Sequence, residues 1–376
     1  MPSHRGLGRR GSVLLAMLLA ALVGWVVLAK VRGGPAPPAR EDARGANILE
    51  HVPADAFLVA EVNVDRLRTT ELGRRLLGDG RQVTGLGEIQ TLCGRDPMDA
   101  VRRLAIAMPE QDAVGFGLFA DGDAISAEAM LGCAERIVAE RGGRPQRTMR
   151  GRFGLLEDAD ASLSSAVLAV ADGGPLVLGE PAYVQASLRL AEGEGASLAS
   201  AGQHADLRGA LESDVLLTTA VLSAEQRATL RQELRVQGME QSPFRSVSAA
   251  GLGASVGSDL ALHAVLLCDD PAAAQGVAKV VDEARRGEAM TPAAVVSGLD
   301  SVLGRLEVET AGAAVELRLR LPVDEALSLV QRLLALRRLA EQAPGPSPPA
   351  APAEGGAPPA VSIERVVPAP SAAPVP

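Results

Sequence analysis

The order of strands and helices between residues 45 and 341 occurs twice, and this internal repetition constrains the fold more than any other feature. Residues 55–64 alternate like a strand and run into a helix at 65–77; residues 214–222 do the same before a helix at 223–234. Each copy continues with two strands, 104–108 with 114–120 and 247–255 with 260–267. A helix follows in each, 124–141 ending at Gly142-Gly143 and 271–286 ending at Gly287, where glycine suits the left-handed cap. The third blocks match 151–157, 166–171 and 183–191 with 304–309, 315–321 and 323–340. The first copy adds a strand at 176–178 and a connecting helix around 204–211. A β-α-β-β-α-β-β-α order with short turns predicts an α+β fold: two similar units, 45–200 and 201–341, with largely antiparallel sheets.

With 47% hydrophobic and 22% charged residues the chain can bury a core, which excludes a wholly disordered protein. Aromatics make up 2%, too few for platforms that stack on bases or sugars. The formal net charge is -9, and because 1–44 hold seven basic and two acidic residues, the remainder is the more acidic part. That balance argues against nucleic acid as a partner.

Arg5, Arg9 and Arg10 precede an uncharged run at 11–29, closed by Lys30 and Arg32. A helix of about 20 apolar residues spans a bilayer. The run therefore reads as a transmembrane signal anchor (11–32) behind a basic tail (1–10), with cleavage after Val27-Leu28-Ala29 as the alternative. A Gly/Pro/Ala linker occupies 33–44. The expectation is a single-pass inner-membrane protein, held to the membrane by its N-terminal helix, with its domain on the periplasmic side. Residues 342–376 contain eleven prolines and read as a disordered tail. Val361, Ile363, Val366 and Val367 interrupt its Pro/Ala pattern and suit pairing with an exposed sheet edge; the plainer reading is a chance apolar patch in a linker.

Gly253-Ala-Ser255-Val-Gly257 has the letters of a nucleophile elbow, but it precedes a second strand rather than a helix. His263 and His204 are the candidate bases, with no acid specially placed. Asp121-Gly-Asp123 and Asp269-Asp270-Pro271 read as turns and helix caps. Ser223-Ala-Glu-Gln226 is a capping box, and Glu180-Pro181 and Thr291-Pro292 are further helix starts. Four histidines and three cysteines show no zinc spacing, and neither a dinucleotide nor a phosphate-binding loop is present. No catalytic, cofactor-binding or metal residue is assigned, and no cofactor is expected. Lys279, one of two lysines, sits on a helix and reads as a solvated residue. Two readings of the cysteines stand side by side: a Cys93–Cys133 disulfide with Cys268 free, or three buried thiols.

Val52-Pro-Ala-Asp-Ala-Phe57, Cys93-Gly-Arg-Asp-Pro97 and Ser197-Leu-Ala-Ser200 resemble motifs of uncharacterised exported envelope proteins of high-GC Gram-negative bacteria, built from duplicated α/β units. The resemblance implies an envelope location and no known activity. The function expected is that of a membrane-anchored, non-catalytic scaffold or binding module with an envelope protein as partner. The alternatives are a serine hydrolase using Ser255 and a carrier holding an apolar ligand between the two repeats.

Overall fold

The computed structural model describes residues 47–342 apart from 72, 75–85, 95–96, 110–115, 161–165, 212, 292–293 and 295–297. Two compact units are formed. One, Met1–Gln331, holds the whole sheet; of the other, Arg332–Pro376, the end of the last helix is described. In chain order the elements are β1 (Ala56–Asn63), α1 (Val64–Thr69), α2 (Leu86–Cys93), β2 (Arg103–Pro109), β3 (Gly117–Asp121), α3 (Ala127–Glu140), β4 (Pro145–Arg150), β5 (Phe153–Asp158), β6 (Val167–Val170), β7 (Leu176–Gly179) and α4 (Pro181–Ala191). Then come α5 (Gly202–Ala210), β8 (Leu216–Val221), α6 (Ala224–Val236), β9 (Val247–Val256), β10 (Asp259–Cys268), α7 (Pro271–Ala289), α8 (Leu299–Arg305), β11 (Glu307–Ala311), β12 (Ala314–Pro322) and α9 (Val323–Gln342).

The twelve strands of the described residues join one sheet, in the order β11-β12-β10-β9-β8-β1-β2-β3-β7-β6-β5-β4. This corrects the expected arrangement of two units with separate sheets: the repeats fuse edge to edge where β1 pairs antiparallel with β8. Val59 faces Thr219 in that pairing. Each lies four residues before a helix cap, Asn63 in one copy and Ser223 in the other. A pseudo-twofold axis normal to the sheet thus passes through the Val59–Thr219 pair. Outward from it, β1-β2-β3-β7-β6 and β8-β9-β10-β12-β11 follow the same order. The additional strands of the first repeat are therefore β4 and β5, not the strand at 176–178, which is β7, the counterpart of β12.

The membrane span expected at 11–29 and the tail element at 361–367 lie outside the described residues. Among the described residues no helix is long and apolar enough to cross a membrane. The single-pass inner-membrane placement read from the sequence is corrected accordingly.

One face of the sheet carries Val59, Ala105, Ala107, Phe119 and Val177 against Tyr183, Val184 and Leu188 of α4 and the short 3-10 helix Ile48–His51. Helix α5 continues this cover, setting Leu207 and the following Leu211 on Ala249 and Val265. On the opposite face α3 packs Met130 and Leu131 on Leu156, Leu168 and Val170, while α7 packs Ala274, Val277 and Val281 on Val315 and Leu317. The first face needs small residues where helices come close. A Cβ on Gly117 would stand 2.3 Å from the Tyr183 ring, and one on Gly251 would stand 2.5 Å from Leu211.

Cys93, at the end of α2, is bonded to Cys133 in α3, with their Cα atoms 4.9 Å apart. The Arg136 Nε donates to the Leu92 carbonyl at 2.8 Å beside the bridge. Cys268 is free and buried, and its surroundings push the thiol pKa up, first through desolvation. Closing a loop of this separation, 40 residues, restricts the unfolded chain by about 4 kcal/mol in the entropic treatment.

Gly117→Ala and Gly251→Ala are each expected to lower stability by about 1–3 kcal/mol, because a ring or a leucine must move in a packed layer; urea melts check this. Cys133→Ser should cost roughly 2–4 kcal/mol. Thiol titration of the denatured, non-reduced chain should give one reactive group.

Candidate functional site

One group of buried polar side chains lies at the seam between the repeats. Helix α5 lies over it and carries His204 and, one turn on, Arg208. The imidazole is buried, with Nε2 3.0 Å from the Ala56 carbonyl and Nδ1 2.8 Å from the Thr219 hydroxyl, itself buried on β8. A carbonyl only accepts, so Nε2 carries the proton and Nδ1 accepts from Thr219. One neutral ring therefore bonds both central strands beside the pseudo-twofold axis. Burial, and secondarily the charge of Arg208, hold its pKa below the ordinary histidine value, although the bond to Ala56 opposes them.

Arg208 donates from Nη2 to the carbonyls of Leu198 and Ala199, both at 3.0 Å, which ties the inter-repeat connection to α5. That connection is also fixed to the start of the first repeat, where the Leu198 amide donates to the Val52 carbonyl at 2.8 Å. Two of the motifs carrying the family resemblance thus touch each other. Glu61 of β1 faces the same side, near Arg103, Arg208 and Asp121; desolvation raises its pKa against the pull of the two arginines. Arg103 is paired with Asp121 at 2.7 Å. Sequence reasoning named His204 only as a hypothetical base, because nothing local reveals that it spans two strands.

The other residues singled out from the sequence are engaged separately. The half-buried Ser255 accepts a bond from the Asp214 amide at 3.1 Å. The Asp214 carboxylate in turn accepts from the Val256 amide at 3.2 Å and meets Arg66 at 3.0 Å. His263 stands opposite Gly253 and reaches Glu316 at 3.4 Å, whereas Ser255 stands opposite Ala261, so the pair is not brought together. Asp123 binds Arg102 at 2.7 Å, and Lys279 lies 4.0 Å from Glu283. Helix α3 is capped by Ser126 rather than by Asp123. Among the described residues no group of three histidines, cysteines or carboxylates could hold a metal.

The second feature of the seam is on the opposite face. Between the areas covered by α3 and α7, the strands β3, β2, β1 and β9 present Leu118, Leu104, Ile106, Met108, Leu58 and Leu252, and β8 between β1 and β9 adds Thr218 and Ala220, all half-buried. Register places Ile106, Ala60, Thr218 and Leu252 in one row across four strands. No charged side chain belongs to that row or to the parallel row through Val62. Phe116, one residue before β3, is exposed. The strip is an apolar floor centred on the join between the repeats.

No family model matches the chain, and no curated protein matches it. Among solved structures, the one titled "Structure of crystal form I of TP0453" is similar over 76% of this chain and 97% of that one, with 9% identity and a TM-score of 0.42.

A histidine held neutral in the fold gives up stability as pH falls, because below about 6.5 the unfolded chain binds a proton that the folded one resists. His204 and His51 both have lowered pKa values, chiefly through burial, so stability is full above that pH and declines below it. His204→Asn should cost roughly 1–3 kcal/mol at pH 7.5 by stranding Thr219 and Ala56. It should also flatten the loss of stability between pH 7.5 and 5.5, measured by urea melts at each pH.

Proposed function

We propose that the protein is a non-catalytic binding module that receives an apolar, uncharged ligand on the sheet floor at the join of its repeats. The observation that carries this reading is the strip from Leu118 to Leu252: large apolar side chains from four strands, joined across β8 by Thr218 and Ala220, half-buried and without a charged neighbour in the central rows. Contiguous apolar surface of this kind is unusual outside interaction sites. Helices α3 and α7 stand on the same face on either side of the strip. The reading unites two expectations from the sequence, a module acting through its surfaces and an apolar ligand held between the repeats. The hydrolase alternative has less to support it, since Ser255 accepts from the Asp214 amide and stands opposite Ala261, two residues along the strand from His263.

The test is titration of the full chain with an environment-sensitive naphthylamine dye and with a fluorescent fatty acid. Saturable binding is expected, weakened about tenfold or more by Ile106→Glu combined with Leu252→Glu, since charge on the floor must be desolvated. Met290→Glu, at an 84% exposed position elsewhere, should leave it unchanged. If the glutamates unfold the chain, glutamines at both positions serve instead. Equal binding by the folded floor variants would refute the assignment.

A further inference from the structure

The sheet ends in two edge strands of opposite character. At one end β4 lies in the segment 141–152, which contains Arg141, Arg144, Arg147, Arg150 and Arg152 and no acidic residue. At the other end β11 carries Glu307 and Glu309. Both are well exposed: in β4 every residue but Arg150 is exposed, and in β11 every residue but Val308. An edge strand has a row of main-chain donors and acceptors facing away from its one partner, a template for another strand.

Topology makes these two edges compatible with each other. All eleven pairings in the twelve-stranded sheet are antiparallel, so its first and last strands run in opposite directions. A second copy shifted along the sheet, in the same orientation, therefore sets its β11 antiparallel to β4 with both faces continuous. Register then places Thr148 and Arg150 on the face that carries Glu307 and Glu309, and the 72% exposed Met149 on the face that carries Val308. Symmetric pairing is disfavoured, because β4 against β4 opposes arginines and β11 against β11 opposes glutamates.

Internal ion pairs leave charge for this contact. Arg147 is engaged by Glu135 and Glu128 of α3, and Arg150 by Glu192 and Gln185, on opposite faces of β4. Glu309 is engaged by Arg318 at 3.0 Å. Arg141, Arg144 and Arg152 on one edge, and Glu307 on the other, have no ion-pair partner among the described residues.

We infer that the protein associates with further copies of itself head to tail, the basic edge strand β4 of one copy pairing with the acidic edge strand β11 of the next. The contact is heterologous and does not close on itself, so it yields open chains of copies rather than a fixed dimer. Its charged part makes association stronger at low salt.

The test is sedimentation velocity of the full chain across protein concentration at about 50 and 500 mM salt. Concentration-dependent growth beyond a dimer is expected at low salt and should weaken severalfold at high salt. Glu307→Arg with Glu309→Gln should reduce association at least tenfold, as should Arg144→Glu with Arg152→Glu in a second protein. Mixing the two variants should restore association, which a misfolded chain could not do. Met149→Glu, at an exposed site, checks the same strand by a milder change. A wild-type chain that stays monomeric at low salt, growth indifferent to all these variants, or a mixture that does not recover would each overturn the inference. Dye binding to the floor is read separately in the edge variants, so either idea can fail alone.

Discussion

The antiparallel pairing of β1 with β8 is the interaction on which the rest of this structure depends. It turns two repeats into one sheet, sets the pseudo-twofold axis through Val59 and Thr219, and determines which residues of the two copies share a face. A slip of one residue would send every side chain of one repeat to the wrong side. Register is held by side-chain chemistry as well as by the ladder, because the His204 ring bonds the Ala56 carbonyl on one strand and the Thr219 hydroxyl on the other. Burial makes that arrangement selective: a shifted register would strand polar atoms away from water, at a cost greater than the bonds themselves contribute.

The two faces of the seam follow from that one pairing but are finished differently. On the first face, α5 stands at the head of the second repeat and the short 3-10 helix Ile48–His51 at the head of the first. Gly117 and Gly251 let α4 and α5 approach the sheet. On the second face, α3 and α7 are true counterparts and sit over the two outer parts of the sheet. What remains between them is the apolar floor. The apolar floor thus arises from duplication: neither repeat alone has both α3 and α7 beside it.

Much of the local structure was legible in the sequence. Ser223 and Gln226 form the reciprocal capping box, Asp270 caps the proline-led α7, and the alternating strands lie close to where their patterns put them. Cap chemistry acts within a few residues, so it can be read locally. The fusion of the sheets was not legible, since strand pairing over such separations leaves no local mark. Matching Asp55 with Asp214 was also one residue out, because turns before the strands differ while the caps after them agree. The inserted hairpin was misassigned for a similar reason. By pattern β5 and β7 both look like ordinary strands, and only pairing order shows that β7 lies next to β3 and matches β12. Of the candidate site residues, His204 was visible merely as a histidine, and the floor was invisible as a unit because its residues come from five strands.

The pseudo-twofold axis through Val59 and Thr219 also bears on how the protein responds to dilution. Cut between Ser200 and Gly202, each half would present its innermost strand as an open edge, and the two would have to find each other as separate subunits. In the intact chain a connection of short helices, pinned by Arg208 and by the Leu198 bond to Val52, keeps the halves in permanent proximity. Tethering of this kind replaces a bimolecular equilibrium by an intramolecular one. The architecture is that of a dimer, yet its integrity is independent of protein concentration, so the apolar floor persists in a molecule present at only a few copies.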